Sequence, residues 1–345
     1  MPADSPRLPR APASALGPTG APRFGAYAGS LGAADLSPLS PPGLLAGLRH
    51  AALTRRWQSV VLAGRDHVVA LDVIEGGLLA GGSIWVAERR SGELLFDRAG
   101  AGLPGLSATV GARPGAGARA SFVGPGIALA IERRSDRYQL EADVGDGLRL
   151  EARLDAGGGP EPFSLVAPLP GAGVRAAQAA GPLPVDGLLT VRGREVPLGG
   201  ALATIEFGAG IFPREISWRK LTAAGRSGGR AVALHLVDGL PGPAPEDGGE
   251  GVLLVDPGPV LLPAVAFEVD PASTSSPWRI ASEDGRVELI FRPGAIHREA
   301  RTLLLLSTRR VQLAGELSGH LPGPGGERLH VADLAARAEE TWSRG

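Results

Sequence analysis

The sequence predicts an all-β protein built from two similar antiparallel units, and three observations carry that prediction. First, a tryptophan is twice followed by Gly-Arg and then by a strand containing Val-Ala-Leu. One copy comprises Trp57, Gly64-Arg65 and Val69 to Asp72, the other Trp218, Gly225-Arg226 and Val232 to His235. Only 4% of residues are aromatic, so a ring recurring in one local context reads as a duplicated β-hairpin. Second, short apolar–polar alternations bounded by Gly, Asp or Pro recur along the chain, which is the rhythm of antiparallel strands. Third, 345 residues exceed what a single core usually fills, and 43% apolar residues are enough for two.

The elements follow in order. From Met1 to Pro22 the chain is rich in Pro, Ala and Arg and lacks an apolar segment, so it is expected to be disordered and not a secretory signal. Between Pro42 and Leu53, the near-helical spacing of Leu44, Leu45, Leu48 and Leu53 predicts one short amphipathic helix. Strands are expected at Val68–Val73, Ser83–Glu88, Ile127–Arg133, Tyr138–Val144 and Leu148–Leu154. The last two should form a hairpin through Gly145-Asp146-Gly147, an Asp-Gly turn with opposite charges set across its wet face. The Pro- and Gly-rich stretch Asp155–Pro184 is the expected boundary, which gives a first unit at 23–184 and a second at 185–345. An acidic loop is expected at Pro241–Gly251. Strand signals return at Ala264–Val269, Val287–Phe291, Arg301–Leu306 and Arg309–Leu317. At the end, Leu334, Ala338 and Trp342 form an i, i+4, i+8 stripe behind Asp333 as N-cap, which predicts a C-terminal helix.

Composition narrows the chemistry. With 35 basic against 36 acidic residues, the net charge of −1 offers no general attraction for nucleic acid or anionic lipid. The absence of cysteine excludes disulfides, thiolate nucleophiles and Cys-ligated zinc, and fits a reducing, cytoplasmic setting. Lys220 is the only lysine; the other basic residues are arginines. No two of the six histidines lie three to five residues apart and no acidic loop has calcium-ligand spacing, so no metal is expected. Glu283-Asp284-Gly285 reads as a turn. Neither a phosphate-binding glycine loop, despite 52 glycines, nor a Gly-x-Ser-x-Gly elbow occurs, so no cofactor is expected either. The longest aliphatic run, Leu303 to Leu306, is far short of the ~20 residues of a membrane helix. The expected protein is soluble, with peripheral membrane contact left open and its oligomeric state undefined.

Particular residues carry a resemblance. Arg55-Arg56-Trp57-Gln58, Ser217-Trp218-Arg219, Val237-Asp238-Gly239, Pro277-Trp278-Arg279-Ile280 with Ser282 to Val287, and Gly315 to Gly319 occur in one collinear order from about Phe24 to Trp342. Together they resemble the domain of unknown function 2804 family, with the Pro-Trp-Arg-Ile…Glu-Asp-Gly-Arg-Val block the most specific part. That family is similar, more distantly, to two-barrel lipocalin-like proteins that include carotenoid hydratases, a Diels–Alderase type and survival factors. The resemblance implies two tandem lipocalin-like, calycin-type β-barrels, in agreement with the duplicated hairpin.

Candidate site residues follow from both readings. Trp57, Trp85, Trp218 and Trp278, with Arg219 and Arg279, either plug the barrels through cation–π pairs or offer π-faces to a ligand. Alternation places Asp72 and His235 together with Ala70 and Ala233, opposite Val69, Leu71, Val232 and Leu234. That face looks either into a cavity or to solvent. In a cavity, Asp72, His235 or Glu206 would serve as general acid or base. Two functions therefore stand: a carrier that binds a hydrophobic, lipid- or isoprenoid-like molecule inside a β-barrel, or a cofactor-free lyase or isomerase (hydratase or cyclase) acting on an apolar C=C substrate.

Overall fold

A computed structural model describes residues 8–242, 250–303 and 306–344. Among these residues the strands form two curled antiparallel sheets, one 14-stranded and one 9-stranded. The first runs Leu94–Gly102, Ala80–Glu88, His67–Gly76, Thr54–Ala63, Leu202–Ile211 and Gly173–Val191, then continues from Leu148–Asp155 to its edge at Ala108–Val110. That edge curls back on the first hairpin, where the Val110 amide donates to Glu75 Oε2 at 3.0 Å. In the second sheet, Glu215–Ser227 and Arg230–Asp238 pair beside Arg328–Arg344, Leu306–Pro322 and Glu288–Leu303. Its edge strand Val265–Glu268 is tied back by the Phe267 amide, which donates to Asp238 Oδ2 at 3.2 Å. Among the described residues no helix is long and apolar enough to cross a membrane.

Side-chain alternation explains why each sheet closes on its own core. Val69, Leu71 and Val73 point inward with Phe122, Leu140 and Phe207, while Leu234 and Leu236 point inward with Phe267, Trp278 and Phe291. A third core lies between the units, where Val61, Ala70 and Trp85 meet Ala224, Ala233 and Ala335. The duplicated hairpins thus face each other with their alternate faces, and the small side chains of that face let the sheets approach closely.

Four expectations change. The C-terminal segment is a strand, Arg328–Arg344, and not a helix. The spacing i, i+4, i+8 is also a multiple of two, so Leu334, Ala336 and Ala338 line the second core from one face of that strand. Of the segment expected to be disordered, residues 1–7 lie outside the described residues and the remainder is ordered. Ala11 and Ala15 donate to the carbonyls of Ala28 and Ala33 at 2.8 Å each, and Ala15 and Leu16 are buried. The expected boundary at Pro184 falls inside Gly173–Val191, and the two sheets part instead between Ile211 and Glu215. A register shift between Ala180 and Leu183 absorbs Gly181-Pro182, whose proline has no amide to give the ladder. The hairpin at Gly145 forms and sets Arg149 opposite Asp143, but Glu151 faces Glu141 and takes Arg149 along its own strand at 2.7 Å.

The short helix is present as Leu44–Leu53, although Leu44 and Leu45 on it are exposed. Most of the acidic loop, residues 243–249, lies outside the described residues.

Candidate functional site

The face that carries Asp72 and His235 opens neither into a barrel nor to water; it is packed against the other unit. Both residues are buried, at 1% and 3% exposure, within a polar layer that joins the sheets. The strands that follow the second hairpin in sheet order supply the partners. Arg328–Arg344 turns Arg337, Glu339, Thr341 and Ser343 away from its own barrel, and Leu306–Pro322 does the same with Arg310 and Gln312.

Asp72 is gripped by three of these. Arg337 reaches Oδ1 at 2.9 Å, the Gln312 amide donates to Oδ2 at 3.0 Å, and Arg310 lies 3.4 Å away. Burial by itself would raise this carboxyl, but Arg337 and then Arg310 outweigh it and hold Asp72 far below the usual carboxylate range. Gln312 also donates to Glu339 at 2.7 Å and accepts from Trp85 Nε1 at 2.8 Å. Lys220 continues the layer, 2.7 Å from Glu206 Oε2 and 3.7 Å from Glu339. Glu206 Oε1 accepts from Trp57 Nε1 at 2.9 Å. Its carboxyl, like that of Glu339, is pushed up by burial yet held below its ordinary value, chiefly by Lys220.

On the other flank Arg310 binds Glu299 at 2.6 Å, Glu299 takes His297 Nε2 at 2.9 Å, and His297 Nδ1 meets Asp97 at 2.8 Å across the units. Burial would lower the His297 imidazole, but hydrogen bonds to Asp97 and Glu299 raise it to about 9. A group whose folded value is raised lends stability that is complete below the unfolded value and fades as pH climbs through the folded one. Folding free energies from urea unfolding are therefore expected to fall between about pH 6.5 and pH 9, by on the order of 3 kcal/mol. In His297→Gln that part of the profile should be flat; an unchanged slope would show that another group is responsible. At the far side His235 Nε2 lies 3.2 Å from Glu250 Oε1, and Glu250 pairs with Arg175. Burial opposes ionisation of Glu250, but Arg175 and then His235 take its carboxyl down to about 2.

Where this layer reaches the surface, a cleft of about 120 Å³ opens between the units. Trp57 and Trp218 stand at its mouth with ring centroids 6.5 Å apart and planes within 13°. Phe212 lies 5.8 Å from Trp57 and 6.2 Å from Trp218. Ile74, Leu78 and Leu79 make one wall, and Lys220, Arg310 and Glu339 the floor. Two glycines make room for this arrangement. Gly208 pairs with Trp57 across the strands, and a Cβ there would fall inside the indole. A Cβ on Gly81 would collide with the Arg301 guanidinium that borders the same cleft.

Of the residues singled out in the sequence, Trp57 and Trp218 line the cleft, and Glu206 touches it through Trp57 and Lys220. Trp85 is buried beside it, stacked 6.2 Å from His297. Asp72 and His235 lie in the layer behind and are not part of the lining. Arg219 and Arg279 are surface clamps, paired with Glu340 at 2.9 Å and Glu268 at 3.0 Å. Trp278 is core, edge-on to Phe267 and Phe291 at 6.1 and 5.9 Å. Sequence reading missed Arg310, Gln312, Arg337, Glu339 and His297. Their signal was present: polar residues alternate with Leu313, Leu334, Ala336 and Ala338 at period two, and the helical reading of the last strand hid it.

Comparison with known proteins gives one family and several distant structures. A family model described as a domain of unknown function, DUF2804, matches residues 9–344. No curated protein matches the sequence. A crystal structure of CghA with Sch210972 superposes with 12% identity and a TM-score of 0.49, over 84% of this chain and 88% of that one. A putative AttH from Nitrosomonas europaea gives 12%, 0.48, 84% and 92% in the same order. Kievitone hydratase from Nectria haematococca gives 11%, 0.46, 84% and 88%.

Proposed function

We propose, for a chain that belongs to the DUF2804 family over residues 9–344, that it binds a small apolar molecule in the cleft between its two units. The observation that carries this reading is the meeting of the two repeated tryptophans. Each unit contributes one ring, and the pair stands 6.5 Å apart above a wall of Ile74, Leu78 and Leu79. Among the described residues, Trp278, Phe291 and Phe267 pack in the interior of one barrel and Phe122, Tyr138 and Phe207 in that of the other. A cavity-binding role therefore moves from the lumen of a barrel to the seam between barrels, where aromatic faces, aliphatic walls and a few fixed polar groups converge.

Titration with octan-1-ol, followed by tryptophan fluorescence, tests this reading. The protein should show saturable binding, and Gly208→Val, which pushes the Trp57 indole off its bed, should weaken it at least about tenfold while the far-ultraviolet circular dichroism is kept. A response that fails to saturate, or equal binding by Gly208→Val, would remove the cleft from consideration.

A second reading rests on Glu206 and Lys220. Their 2.7 Å contact sets a carboxylate beside an ammonium at the cleft floor, next to Trp57. A carboxylate held ionised accepts protons, so a lyase or isomerase working here would use Glu206 as base and Lys220 as acid. Asp72, clamped between two guanidinium groups, is unsuited to protonating a C=C bond.

A further inference from the structure

The cleft carries an unbalanced cation. Five basic residues line it, namely Arg55, Lys220, Arg301, Arg310 and Arg344, against two carboxylates, Glu299 and Glu339. Three of the five are neutralised: Lys220 by Glu206, Arg310 by Glu299 and Asp72, and Arg301 by Glu299 at 2.7 Å. Arg55 differs from them. It stands on the same face of Thr54–Ala63 as Trp57, half-buried, with its guanidinium 5.6 Å over the Phe212 ring and no carboxylate partner among the described residues. Its strand neighbours across the ladder are Gly76 and Gly210, which bring no side chain to satisfy it. Burial lowers this guanidinium to about 10, so it is still charged at neutral pH. Its nitrogens are not sealed in the protein, so a half-buried cation presents its donors to the open cleft, where an oxyanion can take them. Arg344, exposed at the rim of the same cleft, adds to the positive field.

We infer that Arg55 is an anion subsite, and that the molecule bound in the cleft is amphipathic, with an apolar body against Trp57 and Trp218 and a carboxylate or phosphate head on Arg55. This rests on the cleft-binding reading above and adds to it the class of ligand. The planar fork of a guanidinium matches two oxygens of either head group, which a hydroxyl cannot offer. Phe212, 5.6 Å beneath the guanidinium, adds a cation–π contact that takes none of its hydrogen-bond donors.

Octan-1-ol, octanoate and octyl phosphate share one tail and differ in the head, so calorimetric titration with the three separates the two claims. In the unmodified protein at neutral pH, at least one of the acids should bind about tenfold more tightly than the alcohol, a ratio consistent with a charge-assisted hydrogen bond, and the better acid identifies the head. Arg55→Gln should weaken binding of the acids far more than that of octan-1-ol and so erase that advantage, and Arg55→Lys should restore part of it. Equal binding of acids and alcohol by the unmodified protein would overturn the anion subsite while leaving the cleft reading in place. Acid preference that survives in Arg55→Gln, with its melting temperature intact, would overturn it as well. Absence of binding by all three probes would overturn both.

Discussion

Asp72→Ala is expected to lower folding stability by about 3–5 kcal/mol, the range for removing one partner of a buried ion pair. The substitution takes away one carboxylate and strands the Arg337 guanidinium together with an amide proton of Gln312, while Arg310 keeps only Glu299 as an ion-pair partner. All of them are buried in the seam, so water cannot take over the lost contacts. For a domain with a total stability of ~5–15 kcal/mol, that loss is a large fraction. Urea unfolding provides the measurement, and a change within about 0.5 kcal/mol would refute the structural role assigned to this carboxylate. Adding Arg337→Met to Asp72→Ala should recover part of the loss, because it removes one stranded charge and fills the space with an apolar chain. The same pair sets the acid limb of stability. Since the folded carboxyl lies below its unfolded value of ~3.9, the stabilisation is present above that pH and drains away as pH falls beneath it.

Trp278→Ala should cost about 3–5 kcal/mol and leave octan-1-ol affinity unchanged. The indole is wedged between Phe267 and Phe291 in the second barrel, on the opposite side of the sheet from the cleft. Its Nε1 has no partner among the described residues, so Trp278→Phe, which deletes that donor while keeping a ring, should be much milder than the alanine variant. Stability and binding measured on both variants decide the matter. Weakened binding in a Trp278→Phe protein that folds normally would return this residue to the site.

Strands, hairpins and duplication could be read from the sequence because a period of two is a local property and survives without knowledge of neighbours. The site was only half legible, for a geometric reason. Alternation sorts side chains into two faces, and a face of small and charged residues such as Ala70 and Asp72 was assigned to cavity or solvent. The structure supplies a third environment, the back of another sheet, where a charge is buried yet satisfied. Nothing near Asp72 in the sequence announces Arg337, because their partnership spans most of the chain. The final strand shows the other limit: Leu334 and Ala338 fit helix and strand alike, and only the hydrogen bonds to Glu215–Ser227 and Leu306–Pro322 decide between them. Trp278-Arg279 and Trp218-Arg219 looked equivalent as dipeptides. Alternation separates them, since one ring faces its own barrel and the other faces the seam.

The ionic layer between the sheets also bears on modularity. Each half of the chain holds charges whose counter-ions lie in the other half: Asp72 and Asp97 on one side, Arg337, Arg310 and His297 on the other. A duplicated architecture invites division at residues 212–214, but neither product would be a transplantable part, since each would expose orphaned charges and an alanine-lined surface to water. Splicing out a single barrel is therefore expected to give an insoluble or unfolded product, and the two halves to unfold in one transition.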